Sequence, residues 1–218
     1  MPFTLSPSSL SLFNECPRCF WLHYKKKIRR PDWPFPSLPS GMDRIIKKHF
    51  DNFMEKDKLP PELFSLKGVK LFKDKKLLEI WRNNRKGIRW MDRKGNTLRG
   101  AMDCVLLKRK NLIVLDFKTR GFPLKEDSAS YYFNQLAIYN LLLNKNGYAT
   151  ENYAYLLFYH PDRVKPNGNV VFNADLVKMP VSPGKAETLF KKALKTLNSK
   201  QPKPARDCGF CKWAKEYV

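Results

Sequence analysis

The chain carries a Cys-x-x-Cys pair near each end, Cys16/Cys19 and Cys208/Cys211. Two such pairs can wrap one centre, either a zinc ion or an iron–sulfur cluster. A shared centre staples the two ends of a 218-residue chain together. That admits only folds whose termini meet. It also couples metal binding to folding, because the unfolded chain holds no such site. Free or redox-active thiols are the alternative, although nothing in the sequence suggests a thioredoxin-like unit. The fifth cysteine, Cys104, lies in an apolar run beside an acid and reads as a small buried residue.

The length suits one sizeable domain with its own core, and 43% hydrophobic and 13% aromatic residues agree with a folded globule. Against 42 Lys and Arg stand only 20 Asp and Glu, a formal net charge of +22. That surplus implies a polyanionic partner. No segment approaches the ~20 apolar residues of a membrane span. The start of the chain lacks the basic-then-apolar pattern of a secretory signal. The expected compartment is cytoplasmic, where paired cysteines serve as metal ligands rather than disulfides. The phosphate-binding loop G-x-x-x-x-G-K-[ST] is absent, so any motor has to come from a partner.

The chemistry concentrates in two apolar runs, Leu98 to Lys108 and Leu112 to Thr119, joined by the polar Arg109-Lys110-Asn111. They predict a hairpin. Alternation places Asp116 and Lys118 on one face of the second strand and Phe117 on the other. Asp103 can meet them from the neighbouring strand, and the Phe117 carbonyl can join a metal shell. Two carboxylates suit Mg²⁺ or Mn²⁺, which prefer oxygen ligands. Such an ion activates water and screens charge during attack on a phosphodiester. A lysine beside it can orient or deprotonate the water. A lone Asp-x-Lys is equally compatible with a solvated strand face bearing an ion pair.

Around the hairpin the pattern predicts helices and strands. Ser130 to Asn146 reads as a helix on which Gln135 and Tyr139 share a face, with Tyr131 and Tyr132 one turn earlier. Gly41 to Phe53 reads as another, with Ser40 as N-cap and His49 as a possible nitrogen ligand. Residues 6–28 form a bent helical segment restarted by Pro17. Pro31, Pro34, Pro36 and Pro39, with Trp33 and Phe35, suggest an extended strap over the surface. A helix is expected around Leu77 to Asn84. A hairpin from Gly87 to Asp92 and from Thr97 onward turns at Lys94-Gly95-Asn96. Strands follow at Tyr153 to Tyr159 and Val170 to Val177, then a basic amphipathic helix at Pro183 to Ser199. The result is an α/β fold, a central mixed sheet flanked by helices. Its expected parts are an N-terminal helical and proline-rich segment (1–39), a catalytic core (40–200) and a C-terminal cysteine segment (201–218).

The order of a helix with His49, then G-A-M-D at 100–103, D-F-K at 116–118 and Gln135 with Tyr139 resembles the RecB-like branch of the PD-(D/E)XK nuclease superfamily. Ser6 to Tyr24 and Asp207 to Lys212 resemble that branch's opening and closing cysteine segments, so the likeness spans nearly the whole chain. It implies a restriction-endonuclease-like core. It implies that His49, Asp103, Asp116 and the Phe117 carbonyl bind Mg²⁺ or Mn²⁺, that Lys118 is catalytic, and that Gln135 and Tyr139 position substrate. It also implies a 4Fe–4S cluster at Cys16, Cys19, Cys208 and Cys211, with Zn²⁺ as the alternative. The family's cluster takes one cysteine near the start and three near the end. The last of those falls at Tyr217 here, and Cys19 would stand in. The implied function is a DNA nuclease, more an exonuclease on single strands or ends than a sequence-specific endonuclease. A DNA helicase or a CRISPR-adaptation integrase is the implied kind of partner, and the settings are CRISPR spacer capture or DNA repair. The competing reading is a nucleic-acid-binding subunit whose nuclease site is weak or idle.

Overall fold

The structure is a computed structural model that describes residues 2–31 and 37–217. A short strand, β1 (Thr4–Leu5), leads into α1 (Pro7–Glu15). Ser6 caps that helix reciprocally: its Oγ accepts the Ser9 N–H at 3.3 Å, and Ser9 Oγ accepts the Ser6 N–H at 2.6 Å. Cys16 closes α1, and Pro17 opens α2 (Pro17–Trp21), so the expected bend falls where proline lacks an N–H. A π-helical turn at Leu22–Lys26 ends at Lys27, which is left-handed with φ of 61°.

Helix α3 (Ser37–Glu55) begins earlier than the expected cap at Ser40. Pro39 therefore sits in its first turn, where no intrahelical N–H is needed, and not in a strap. The rest of the proposed strap, residues 32–36 with Trp33 and Phe35, lies outside the described residues. Beyond α3 come β2 (Val69–Leu71), α4 (Lys75–Arg82), β3 (Ile88–Met91), β4 (Thr97–Gly100), β5 (Cys104–Lys108) and β6 (Asn111–Thr119). Then follow α5 (Phe133–Lys145), β7 (Tyr153–Val164), β8 (Val170–Pro180), α6 (Pro183–Leu197) and α7 (Gly209–Tyr217).

Two sheets form. The larger is mixed, ordered β2-β5-β6-β7-β8, and the smaller is β1-β4-β3. Only β6 and β7 pair in parallel in the larger sheet, and α5 supplies the crossover that such a pair requires. The helix α5 is buried from Leu136 to Leu143, the signature of a helix enclosed on all sides. It packs on β6 and α6 and also on β3 and β4 of the small sheet. Helix α3 covers the opposite face of the large sheet, where the rings of Phe50 and Phe117 lie 4.6 Å apart. At about 1.5–3 kcal/mol for each large apolar side chain removed from water, these faces dominate the favourable side of folding.

One difference from the sequence reading matters for function. Leu98 to Lys108 is two strands, not one. β4 ends at Gly100 in the small sheet, and the chain crosses through Ala101–Asp103 into β5 of the large sheet. The crossing is held from α4: the Met102 N–H donates to the Trp81 carbonyl at 3.0 Å, and Arg82 Nε donates to the Asp103 carbonyl at 2.7 Å. The hairpin turn is also shorter than expected. Asn111 already pairs with Lys108, which leaves Arg109 and Lys110 as the loop, Arg109 with φ of 54°. The strands β1 and β2 and the last helix α7 had no expectation in the sequence.

Candidate active site and cysteine centre

The crossing at Ala101–Asp103 presents Asp103 beside β6. Its Oδ2 accepts the Phe117 N–H at 2.9 Å, which fixes the carboxylate at the edge of the strand that bears Asp116 and Lys118. The Lys118 ammonium contacts Asp116 Oδ2 directly. From the helix side, Gln135 Nε2 stands 3.3 Å from Asp116 Oδ1 and 2.9 Å from the Tyr139 hydroxyl. The Tyr132 ring lies under the Lys118 ammonium, 4.7 Å from ring centre to nitrogen. The structure thus brings Asp103, Asp116, Lys118, Gln135 and Tyr139 together, with Phe117 between the two strand residues.

Asp116 is almost completely buried, and its Oδ2 has no hydrogen-bond donor aligned to it among the described residues. Burial, followed by the negative charge of Asp103, pushes its carboxyl up to about 7 against the pull of Lys118. Burial works against the Lys118 ammonium, yet the Asp116 charge outweighs it and holds that pKa above the ordinary lysine value. Two adjoining carboxylates, one of them almost completely buried, are the kind of oxygen donors that fit a hard divalent cation.

His49 is the predicted site residue that the structure does not bring to this place. Its Nε2 lies 3.1 Å from Glu62 Oε1, and Glu62 in turn accepts the Tyr159 hydroxyl hydrogen at 2.8 Å. No metal-binding group among the described residues joins it to the two aspartates. The reason is helical phase. Lys47 faces Asp103, and a residue two positions on points about 200° away around the helix. Lys47 is instead the site residue that sequence reasoning missed. Its ammonium bridges Asp103 Oδ1 at 2.8 Å and Asp43 Oδ2 at 2.7 Å. Burial disfavours that charge, and the two carboxylates more than restore it, so its pKa is raised. The i,i+4 spacing of Asp43 and Lys47 was the available signal.

A cleft of about 630 Å³ opens onto this cluster. Ser8 and Ser11 of α1 line one wall, Lys86 and Arg99 another, and Tyr131, Tyr132 and Gln135 lead inward. Tyr131 is 76% exposed, a large ring left free at the mouth.

The family model of the PD-(D/E)XK nuclease superfamily matches residues 36–215. The chain belongs to that superfamily. The matched span contains both aspartates, Lys118, Gln135 and Tyr139, together with the C-terminal cysteines. No curated protein matches the chain. Among solved structures, the crystal structure of SSO0001 is similar with a TM-score of 0.46 and 15% identity, over 97% of this chain and 84% of that one. Nucleases of this superfamily use divalent metals. Among the described residues no helix is long and apolar enough to cross a membrane.

Four cysteines gather where the two ends of the chain meet. Their sulfurs all lie within 4.8 Å of one another, and all four residues are buried. Cys16 and Cys19 come from the start of α2, Cys208 and Cys211 from the start of α7, so two helix N-termini point at the group. The Ala205 N–H donates to Cys16 Sγ at 3.5 Å, and Arg30 Nη2 lies 3.7 Å from Cys208 Sγ. Burial raises the Cys16 thiol, but the Ala205 and Cys19 N–H groups and the neighbouring thiols outweigh it and hold it at about 7. Burial pushes Cys19 and Cys211 upward. Such a set can bind a metal, and it joins the N- and C-terminal segments. Cys104 stands apart, buried in β5 and pushed up to about 12 by burial.

Proposed function

We propose that this chain is a Mg²⁺- or Mn²⁺-dependent deoxyribonuclease of the RecB-like kind that acts on single strands or free ends, more as an exonuclease than as an endonuclease. The observation behind this reading is the convergence of Asp103, Asp116 and Lys118 with Gln135 and Tyr139, two residues that also line the cleft bearing Lys86, Arg99 and Tyr131. Asp103, Asp116 and the Phe117 carbonyl are the residues that would hold the ion. The ion supplies a water of lowered pKa and charge neutralisation at phosphorus. Lys118, held as an ammonium, would orient that water and donate to the phosphate oxygen on which charge develops, while the water's proton passes to solvent. The ammonium is positioned by Asp116 on one side and by the Tyr132 ring on the other. Gln135 uses its two Nε2 hydrogens on Asp116 Oδ1 and the Tyr139 hydroxyl, and so fixes the Asp116 carboxylate for the ion. In-line attack then leaves a 5′-phosphate and a 3′-hydroxyl.

The preference for unpaired DNA rests on the cleft. Asp116 is 1% exposed, so a phosphodiester must descend to reach it. A flexible strand can do this while its bases stack on Tyr131 and its backbone follows Lys86 and Arg99. A duplex holds its phosphates on a rigid cylinder. End trimming before spacer capture or during break repair is the biological setting that this chemistry suits, with a motor or integrase as the kind of partner.

The test is cleavage of end-labelled single-stranded DNA with Mn²⁺ or Mg²⁺, beside Asp116→Ala and Lys118→Ala. Metal-dependent cutting lost in both variants supports the nuclease. Tight, salt-sensitive DNA binding with no cutting under any divalent ion would establish the binding-subunit reading instead.

A further inference from the structure

We infer that the cysteine centre holds one zinc ion, not the 4Fe–4S cluster that the family resemblance implies. This inference is independent of the active site and survives or fails without it.

The sulfur geometry decides between the two. Cys19 Sγ lies 3.5 Å from Cys211 Sγ and 3.6 Å from Cys208 Sγ, and Cys16 Sγ lies 3.8 Å from Cys211 Sγ. With Zn–S bonds of ~2.3 Å in a tetrahedron, adjacent sulfurs stand about 3.8 Å apart. The observed separations match that figure. A 4Fe–4S cluster gives each thiolate its own iron, so the cysteine sulfurs sit beyond the four iron corners of a cube of four irons and four sulfides. Sulfurs in contact with each other leave room for one ion between them and none for four irons and four sulfides. The four-iron cluster does not fit this arrangement.

The donor set points the same way. Two Cys-x-x-Cys pairs, each at the start of a helix, make a closed two-plus-two site with no open position, the structural zinc pattern. Tyr217 occupies the position of the family's last cluster cysteine, so the one-plus-three cluster pattern is not available. The site has little use for electron transfer, since a redox-inert ion suffices to hold α2 and α7 together. The positive ends of those helices, the Ala205 N–H and the Arg30 guanidinium offset the negative charge of four thiolates around Zn²⁺.

The experiment is metal and sulfide analysis of the full chain purified without oxygen. The expected result is a colourless protein with about one zinc per chain and no acid-labile sulfide. The Asp116→Ala variant should keep that zinc, which places it away from the carboxylates. Cobalt exchanged into the wild-type protein should give the intense visible bands of tetrahedral cobalt–thiolate, a readout that does not need a cysteine variant to fold. Because a host can load zinc adventitiously, the metal-free protein is also offered Fe²⁺ and sulfide anaerobically. A stable brown species with about four irons per chain, melting above the zinc form, would overturn the inference. So would iron as the metal present on isolation.

Discussion

Replacing Gly100 by alanine tests whether the pieces of the site are held by packing. Gly100 ends β4, and a Cβ built there would lie 2.7 Å from Tyr139 Cε1, 2.9 Å from Cδ1 and 3.1 Å from Leu142 Cδ1. Carbon atoms prefer about 3.5–4.0 Å, so the ring must retreat by close to an ångström. It has nowhere to go cheaply, because α5 is buried on all sides and the Tyr139 hydroxyl is bonded to Gln135. Overpacking of this kind costs about 1–3 kcal/mol. The less flexible unfolded chain returns roughly 0.4–1 kcal/mol. A net loss of about 1–2 kcal/mol lowers the melting temperature by roughly 2–8 °C in a chain of this size. The effect on cutting should be larger. Any shift of Tyr139 is passed through Gln135 to Asp116, and a displacement of about 1 Å near reacting groups can cost roughly a hundredfold in rate. The assays are calorimetric melting and Mn²⁺-dependent cleavage of labelled single-stranded DNA, run as a double-mutant cycle with Tyr139→Leu. The smaller side chain should absorb most of the alanine's penalty on stability, giving a coupling near 1 kcal/mol. Wild-type melting and cleavage in Gly100→Ala, or additive losses in the double variant, would refute the packing argument.

Other outcomes follow from the charges. A buried acid with a raised pKa favours the folded state when protonated, so metal-free protein should lose stability as pH rises from the ordinary value of 3.8 toward about 7. Asp116→Asn should therefore melt higher than metal-free wild type at pH 8, by an amount on the order of a few kcal/mol, and the gap should narrow at pH 5. Equal melting curves at both pH values would contradict this. Lys47→Ala frees Asp103 from its ammonium partner, and Mn²⁺ titrated calorimetrically should bind at least about tenfold more tightly, since this largely buried ion pair is worth at least the ~1 kcal/mol of an exposed one. Weaker binding would show that Lys47 organises the acids rather than competing for them. Tyr131→Ala should weaken single-stranded DNA by about 1–3 kcal/mol through lost stacking. Lys86→Ala should reduce the salt dependence of binding by about one phosphate contact. Unchanged affinity and salt slope would mean the strand takes another path.

Much of this was legible because strands and helices have short periods. Alternation put Asp116 with Lys118 and turned Phe117 the other way, and the four-residue spacing put Gln135 with Tyr139. The cysteine pairs announced that the ends meet, and their sulfurs do lie together. The reading failed where the chain changes partners. Nothing local in Leu98 to Lys108 says that β4 and β5 belong to different sheets, because the break is imposed from α4 through Trp81 and Arg82. The sequence pattern starts α3 at Ser40 and reads Pro39 as linker, whereas the first helical turn accepts proline and α3 begins at Ser37. The sequence offers His49 as a possible nitrogen ligand and the resemblance supports it, while the phase of α3 presents Lys47, with Asp43, to Asp103. The cleft walls from α1, Lys86 and Arg99 are assembled by tertiary packing and leave no motif.

The crossing between sheets also explains how two acids are tolerated side by side. Strand pairing fixes Asp116 under α5, and the crossing fixes Asp103 against the Phe117 N–H, so neither can retreat from the other. Like charges so confined raise the cost of the folded state. The fold offsets this with two ammonium groups arriving from opposite faces of the sheet, Lys118 from β6 on the α5 side and Lys47 from α3. The charge balance of the metal-free protein is therefore made by the residues nearest the reacting centre. Once the carboxylates hold a cation, those ammoniums are no longer needed as counter-ions. Lys118, already aimed by the Tyr132 ring, is then available for water and phosphate. Lys47 faces Asp43 alone. On the proposed function, Lys118 both balances the acids and serves the reaction, so Lys118→Ala should lower both the melting temperature and cleavage, while Lys47→Ala should lower the melting temperature more than cleavage.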